Sequence, residues 1–312
     1  MSSLSSTPSV AIIGAGAMGC LFAARLAEQG ARVTLVDVDK ARLAAIAQDG
    51  ITLKDDAGTR TLAVGAALAA DIAAPVDLVV LFTKGMHSAA AIASVAHLAA
   101  SKPIALTLQN GIGNADLLAA GFGADQVLLG TAHIPADFSG LATVATHGFG
   151  HLDLGGFTPA AQAFAPEVAA LLAKAGFDAH VAGDINAAVW EKVAFNGALN
   201  AVGMICQLPN AGIDNAPGRR IAVNVVDETV RVAAASGIDL DRERIVATVD
   251  QALREHAHHK ASMLQDREHG RRTEIETING AIAREGARLG VPTPVCDTLT
   301  DLVRTIELAA AA

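Results

Sequence analysis

The chain of 312 residues is 52% hydrophobic and 18% charged, enough apolar material for two domains with cores of their own and too ordered a composition for a disordered chain. A net charge of -9 argues against nucleic acid or an anionic membrane as partner, while leaving room for a local basic pocket that takes an anion. The three cysteines, Cys20, Cys206 and Cys296, fit neither a disulfide framework nor a metal-ligand spacing and read as buried small hydrophobes in a reducing compartment. The opening MSSLSSTPS is a polar tail without a basic n-region, and no apolar run reaches membrane-spanning length, so a cytoplasmic protein is expected.

From Ser9 the text VAIIGAGAMGCLFAARLAEQGARVTLVDVDKARL runs from an apolar strand through a glycine turn and an amphipathic helix into a second strand. This is a βαβ unit. Gly14, Gly16 and Gly19, with Ala15, Ala17 and Met18 between them, form a G-x-G-x-x-G at the strand-to-helix turn. The first glycine turns the chain, the second lets backbone approach a pyrophosphate, and the third lets helix pack on strand. The helix N-terminus adds amide donors and a positive dipole end.

Asp37 ends the second strand, where a carboxylate accepts from ribose hydroxyls and repels a 2′-phosphate, so NADH is favoured over NADPH. Lys40 and Arg42 follow closely and keep a phosphate within reach; Asp39 reads as a helix cap. After an irregular β-like stretch (51–64), VDLVVLF (76–82) and IALTL (104–108) read as buried parallel strands with polar tips at Lys84 and Asn110. Ligands of an open α/β sheet sit beyond such tips, so both residues are expected to face the glycine-loop crevice. Taken singly, Lys84 reads as an ordinary loop lysine and Asn110 as a turn residue; their shared placement is what raises the functional reading.

Residues 127–182 are expected to complete the first sheet with more antiparallel character. His133, His147 and His151 lie where no helix is expected to carry an i, i+4 ligand pair, and they are read without a nearby carboxylate, so they read as loop histidines and no metal site is expected. Helical periodicity takes over after Gly183-Asp184, which sets the expected boundary between a domain of residues 1–183 and one of 184–312.

WEKVAFNGALN (190–200) places Lys192, Asn196 and Asn200 four residues apart, on one wedge of a helix whose remaining residues are largely apolar. The wedge is either a converging ammonium and two carboxamides or a surface lysine with two asparagines bonded to nearby backbone. Further on, Ile275, Ile278, Ile282 and Leu289 form one expected helical stripe, with Glu274 about 70° from its centre and Glu276 facing water. Glu274 therefore borders the buried face, or else pairs with Arg271 or Arg272 at the surface.

Taken together, GAGAMG, Lys84 after VVLF, LQNGIGN around Asn110, WEKVAFNGALN, and SMLQD followed by TEIETINGAIAREG resemble the ketopantoate reductase (2-dehydropantoate 2-reductase) family in order along nearly the whole chain. The resemblance implies an α/β fold, with a Rossmann-like N-terminal domain, an all-helical C-terminal domain and an active site in the cleft between them. It implies Lys192 as general acid, Glu274 in support, Asn196, Asn200 and Ser262 as substrate contacts, and Asn110 with Lys84 between nicotinamide and substrate. Two departures stand out. Asp37 occupies the place where NADPH-using members typically carry a basic residue. His259, three residues before Ser262, replaces a substrate-contacting asparagine and is open to binding a carboxylate, changing the substrate or capping a helix.

Hydride transfer to a ketone puts negative charge on its oxygen, so a cationic proton donor such as Lys192 lowers the barrier by charge and by transfer. The expected activity is NAD(P)H-dependent reduction of a branched 2-oxo acid, 2-dehydropantoate to pantoate in pantothenate biosynthesis. Its partner is a small 2-oxo or 2-hydroxy acid, and a homodimer is compatible with the family. The alternatives are an NAD-dependent D-2-hydroxy acid dehydrogenase of the same superfamily and a non-catalytic NAD-binding redox sensor.

Overall fold

The computed structural model describes residues 4–73, 75–148 and 150–311; the first three residues of the polar tail and the last alanine lie outside it. The chain divides into two compact units, one of residues 1–109 and 114–185, the other of residues 110–113 and 186–312. The short segment 110–113, assigned from sequence to the first domain, thus clusters with the helical unit.

The first unit is built on an eight-stranded sheet in the order Asp178–Val181, His151–Gly156, Val127–His133, Ile104–Thr107, Leu78–Leu81, Ser9–Ile13, Arg32–Val36, Gly65–Ala67. Its centre is parallel: Ile12 pairs with Leu35 on one side and Val80 on the other. All four residues of Leu78–Leu81 and of Ile104–Thr107 are buried, as strands covered on both faces require. From Ser9–Ile13 the chain goes first to Arg32–Val36 on one side and later to Leu78–Leu81 on the other. The strand order reverses at that strand's carboxyl end, the place where such sheets bind ligands.

The expected antiparallel character is present, since His151–Gly156 runs against Val127–His133. The irregular stretch 51–64 resolves into a hairpin, Ile51–Asp55 with Gly58–Leu62, extended by Thr143–Ala145 and Asp137–Ser139 into a separate four-stranded sheet. The core gathers Ile12, Leu21, Phe22, Leu35, Leu53 and Leu106, with Phe22 stacked on Phe177 at 4.2 Å.

The second unit is helical. Its principal helix, Ile185–Cys206, has 22 residues, and Ala216–Ala235, Arg242–Glu255, Asn279–Leu289 and Pro294–Ala311 follow around Val193, Val225, Val226, Met263, Ile278 and Ile282. A buried carboxylate fixes the start of the last helix. Glu228, 2% exposed, accepts from the amides of Val295 and Cys296, both at 2.8 Å, where the helix dipole favours an anion.

Two sequence expectations need correction. Cys206 is exposed, unlike Cys20 and Cys296, because it ends its helix. The stripe from Ile275 is not one helix: helix begins only at Asn279, and Glu274 lies in the turn before it. There Ile275 N donates to Thr273 Oγ1 at 3.3 Å and Thr277 Oγ1 donates to the Glu274 carbonyl at 3.2 Å, local bonds that compete with helix. Glu276 does not simply face water, since Arg304 holds it through Nε at 2.7 Å and Nη2 at 2.8 Å, which lowers the pKa of its carboxyl. Among the described residues, no helix is long and apolar enough to cross a membrane.

Candidate functional site

In the first unit, a cavity of about 520 Å³ opens beside the glycine loop, lined by Gly14, Gly16, Asp37, Arg42 and Lys84 among others. The three glycines differ in what surrounds them. A Cβ on Gly14, whose φ is +107°, would lie 2.8 Å from Thr83 N, and one on Gly19 would overlap the Gly14 carbonyl oxygen. A Cβ on Gly16 would meet nothing within 4 Å. Turn and packing therefore exclude side chains at the outer positions, while the middle one keeps space over the cavity. Gly16 is also the N-cap of helix Ala17–Glu28, with no side-chain cap and no acid in the first turn, leaving its amides to an anion. These features fit a dinucleotide.

Asp37 is more constrained than its sequence position implies. One oxygen accepts from Ala15 N at 2.6 Å, and the other accepts from Val38 N at 2.7 Å and Asp39 N at 3.0 Å. A carboxylate has about four lone-pair sites, so roughly one is left for a ribose hydroxyl. Arg42 is likewise engaged: Nη1 donates to the Ala15 carbonyl at 3.2 Å, and the guanidinium stands 4.8 Å over the Phe138 ring. Asp39 caps helix Lys40–Asp49 by accepting from Arg42 N, as expected. Sequence reasoning missed Leu68, Ala69, His87 and Ala91, which also line the cavity. They lie on segments whose only signal is their place after a strand.

Lys84 lines this cavity, whereas Asn110 belongs to the second unit. Asn110 Nδ2 donates to Glu274 Oε2 at 3.3 Å, and the next residues are clasped to the same turn. Ile112 N donates to the Thr277 carbonyl at 2.9 Å, and a Cβ on Gly111, whose φ is +96°, would collide with Thr277. Arg271 pairs with Asp266 at 2.9 Å and Arg272 with Glu307 at 3.7 Å.

On helix Ile185–Cys206, Val193, Ala194, Ala198 and Leu199 are buried, and the wedge between them carries half-buried Lys192 and Asn196 with buried Asn200. Burial of the Lys192 ammonium among these neighbours pushes its pKa down to about 8, and the Glu274 carboxylate acts in the opposite direction. Asn200 Oδ1 accepts from Ser262 Oγ at 3.0 Å and Met263 N at 3.3 Å. It thereby ties the start of helix Ser262–Glu268 to the wedge. Asn279, absent from the sequence reading, is fully buried and donates from Nδ2 to the Gly197 carbonyl at 3.0 Å, anchoring the helix that follows the Glu274 turn. Its signal was an asparagine at an apolar register. The structure thus gathers Lys192, Glu274 and Asn110 electrostatically and Asn200 with Ser262 by hydrogen bonds. His259 stands apart on the exposed loop before Ser262, its carbonyl accepting from Asn210 N at 3.1 Å.

Comparison with known proteins finds matches over both units. A family model for ketopantoate reductase PanE/ApbA matches residues 10–159, and one for the C-terminal part of ketopantoate reductase PanE/ApbA matches residues 184–307. The 2-dehydropantoate 2-reductase of Halobacterium salinarum is 33% identical over 300 residues, covering 96% of this chain and 98% of the relative. That of Streptococcus pyogenes serotype M3 is 29% identical over 303 residues, covering 96% and 97%. Among solved structures, D-mandelate dehydrogenase with NADH and anilino(oxo)acetate matches with a TM-score of 0.92 at 29% identity, covering 97% of this chain and 100% of that one. A PanE/ApbA family ketopantoate reductase from Ralstonia eutropha JMP134 matches with a TM-score of 0.89, also at 29% identity, covering 97% and 100%. With both halves matched and the glycine cavity suited to a dinucleotide, this chain belongs to the ketopantoate reductase family of NAD(P)H-dependent oxidoreductases.

Proposed function

We propose that the protein reduces a branched 2-oxo acid, 2-dehydropantoate in first place, with NADH preferred over NADPH and Lys192 as the general acid. The observation that carries this reading is the half-buried Lys192 whose pKa is depressed to about 8 beside Glu274. At neutral pH such a lysine is still charged, yet closer to the operating pH than a free one, the condition for efficient proton transfer. A bound reduced nicotinamide supplies the hydride. Lys192 stabilises the negative charge growing on the substrate oxygen and then donates its proton there. Glu274 keeps Lys192 protonated and, through Asn110 Nδ2, orients that carboxamide.

Asn196 and the Nδ2 of Asn200 donate to the substrate carboxylate. Because Asn200 Oδ1 can only accept, the Ser262 hydroxyl spends its proton on it, and Ser262 offers lone pairs to a substrate hydroxyl. His259 contributes to substrate choice from its exposed loop. Lys84 and Asn110 flank the reacting groups. The NADH preference rests on Asp37, whose negative charge opposes a 2′-phosphate, and on the engagement of Arg42 with Ala15 and Phe138. The setting is cytoplasmic, and a homodimer is compatible with the family.

The test is turnover of 2-dehydropantoate and a panel of bulky 2-oxo acids by purified protein, each with NADH and NADPH. No turnover of 2-dehydropantoate with either cofactor would overturn the first choice. A second reading, an NAD-dependent D-2-hydroxy acid dehydrogenase, is favoured by Asp37 and by the match to D-mandelate dehydrogenase with NADH. It predicts faster turnover of an aryl-substituted 2-oxo acid than of 2-dehydropantoate. A non-catalytic NAD sensor predicts cofactor binding without turnover of any of them.

A further inference from the structure

Five side chains with metal-ligating chemistry, none used in the reaction above, meet at one edge of the eight-stranded sheet. The register puts His151 opposite both His133 and Asp178, and Asp153 opposite His180. Residues two apart on a strand, and residues paired across strands, share a face. The side chains meet accordingly. His151 Nδ1 lies 2.9 Å from Asp178 Oδ2, His151 Nε2 lies 3.0 Å from Asp153 Oδ2, and His180 Nε2 lies 2.6 Å from Asp178 Oδ1. The His151 and His180 rings stack at 5.2 Å, with the His133 ring 6.4 Å from that of His151. The sequence reading of His133 and His151 as loop residues without a carboxylate is therefore corrected. Both are strand residues, and Asp153 stands two positions on.

We propose that His151, Asp178 and His180 bind a divalent transition-metal cation of the zinc class, which fastens the edge strand Asp178–Val181 to its neighbour. One ligand atom from each of the three lies within 4.8 Å of the others. Tetrahedral zinc at about 2.0–2.1 Å needs separations of roughly 3.3 Å, and the three residues are exposed, free to make that small adjustment. Two imidazoles and one carboxylate are the donor set of open zinc sites, and imidazole selects this class over magnesium or calcium. Asp153 and His133 complete the surroundings: the first balances the charge and can orient the His151 ring. The strand it would fasten is short and poorly buried, with three of four residues exposed, so a cross-link there has something to stabilise.

The experiment is calorimetric titration of the tag-free full chain with zinc chloride in a non-chelating buffer. It is repeated on His180→Ala, Asp178→Asn and, as control for the histidine-rich loop of the helical unit, a His256→Ala/His258→Ala variant. The expected result is one equivalent bound in the micromolar range, weakened at least about tenfold by either ligand substitution and unchanged in the control. Zinc also raises the melting temperature of the parent by mass action, but not that of His180→Ala. Absence of binding, or binding lost in the control and kept in His180→Ala and Asp178→Asn, overturns the proposal. Should His180→Ala fail to fold, Asp178→Asn and the visible spectrum of bound Co²⁺ in the parent carry the test. A spectrum without tetrahedral features contradicts the assigned geometry.

Discussion

The nucleotide cavity and the Lys192 cluster are built from different materials. Around the glycine loop the chemistry belongs to the backbone: amides at the start of helix Ala17–Glu28, a bare Gly16, and an Asp37 carboxylate devoted mostly to main-chain N–H groups. Around Lys192 it belongs to side chains that come from far apart, Asn110 with Glu274 and Asn200 with Ser262. A site made of backbone tolerates almost any chemistry that preserves its shape and fails when its shape is filled. A site made of side chains keeps its shape and fails when one group is exchanged. Substitutions in the two regions should therefore separate binding and stability from turnover.

The largest effect is expected at Lys192. Lys192→Ala should lower kcat by about 10²–10⁴-fold, the usual worth of a positioned acid, and leave the NADH dissociation constant within about twofold; stopped-flow turnover and fluorescence titration read the two. Gly19→Ala should do the reverse. Its Cβ would overlap the Gly14 carbonyl, costing roughly 1–3 kcal/mol of stability as overpacking does and weakening cofactor binding. Denaturant melts check this; a variant as stable as the parent would contradict the packing argument.

A smaller effect is expected at Asp37. Asp37→Ala removes the repulsion of a 2′-phosphate and should shift the NADPH:NADH ratio of kcat/KM by about tenfold, near 1.4 kcal/mol. Because it also frees Ala15 N, affinity for both cofactors should fall. The mildest in kcat is Asn200→Ala, which leaves the buried Met263 amide and the Ser262 hydroxyl without their acceptor. A loss of roughly 1–3 kcal/mol in stability should accompany a rise in KM with little change in kcat.

The same contrast explains what could be read in the sequence. The glycine loop was legible because its constraints are local: turn, approach and packing fall within six residues and need no partner beyond the adjoining strand. The wedge of Lys192, Asn196 and Asn200 was legible as geometry, since one uninterrupted helix carries it, but its meaning rested on the family resemblance. Glu274 was misplaced on a helix because TEIETING keeps a helical spacing of isoleucines while Thr273 and Thr277 bond to nearby backbone and hold a turn. The bond from Asn110 spans 164 residues, and nothing local announces it. The histidine cluster had one local sign, Asp153 two residues after His151. Its other members, Asp178 and His180, depend on strand register, which periodicity does not give.

The claim that Lys192 is the proton donor is tested most directly by the pH dependence of 2-oxo acid reduction, followed from about pH 6 to about pH 10. The acid works only when protonated, so kcat should be level at low pH and fall about tenfold per unit above the Lys192 pKa of about 8. Glu274 raises that pKa, so in Glu274→Gln the break should move to lower pH. A profile that stays flat to the alkaline limit, or a break that does not move when Glu274 is neutralised, would contradict the account.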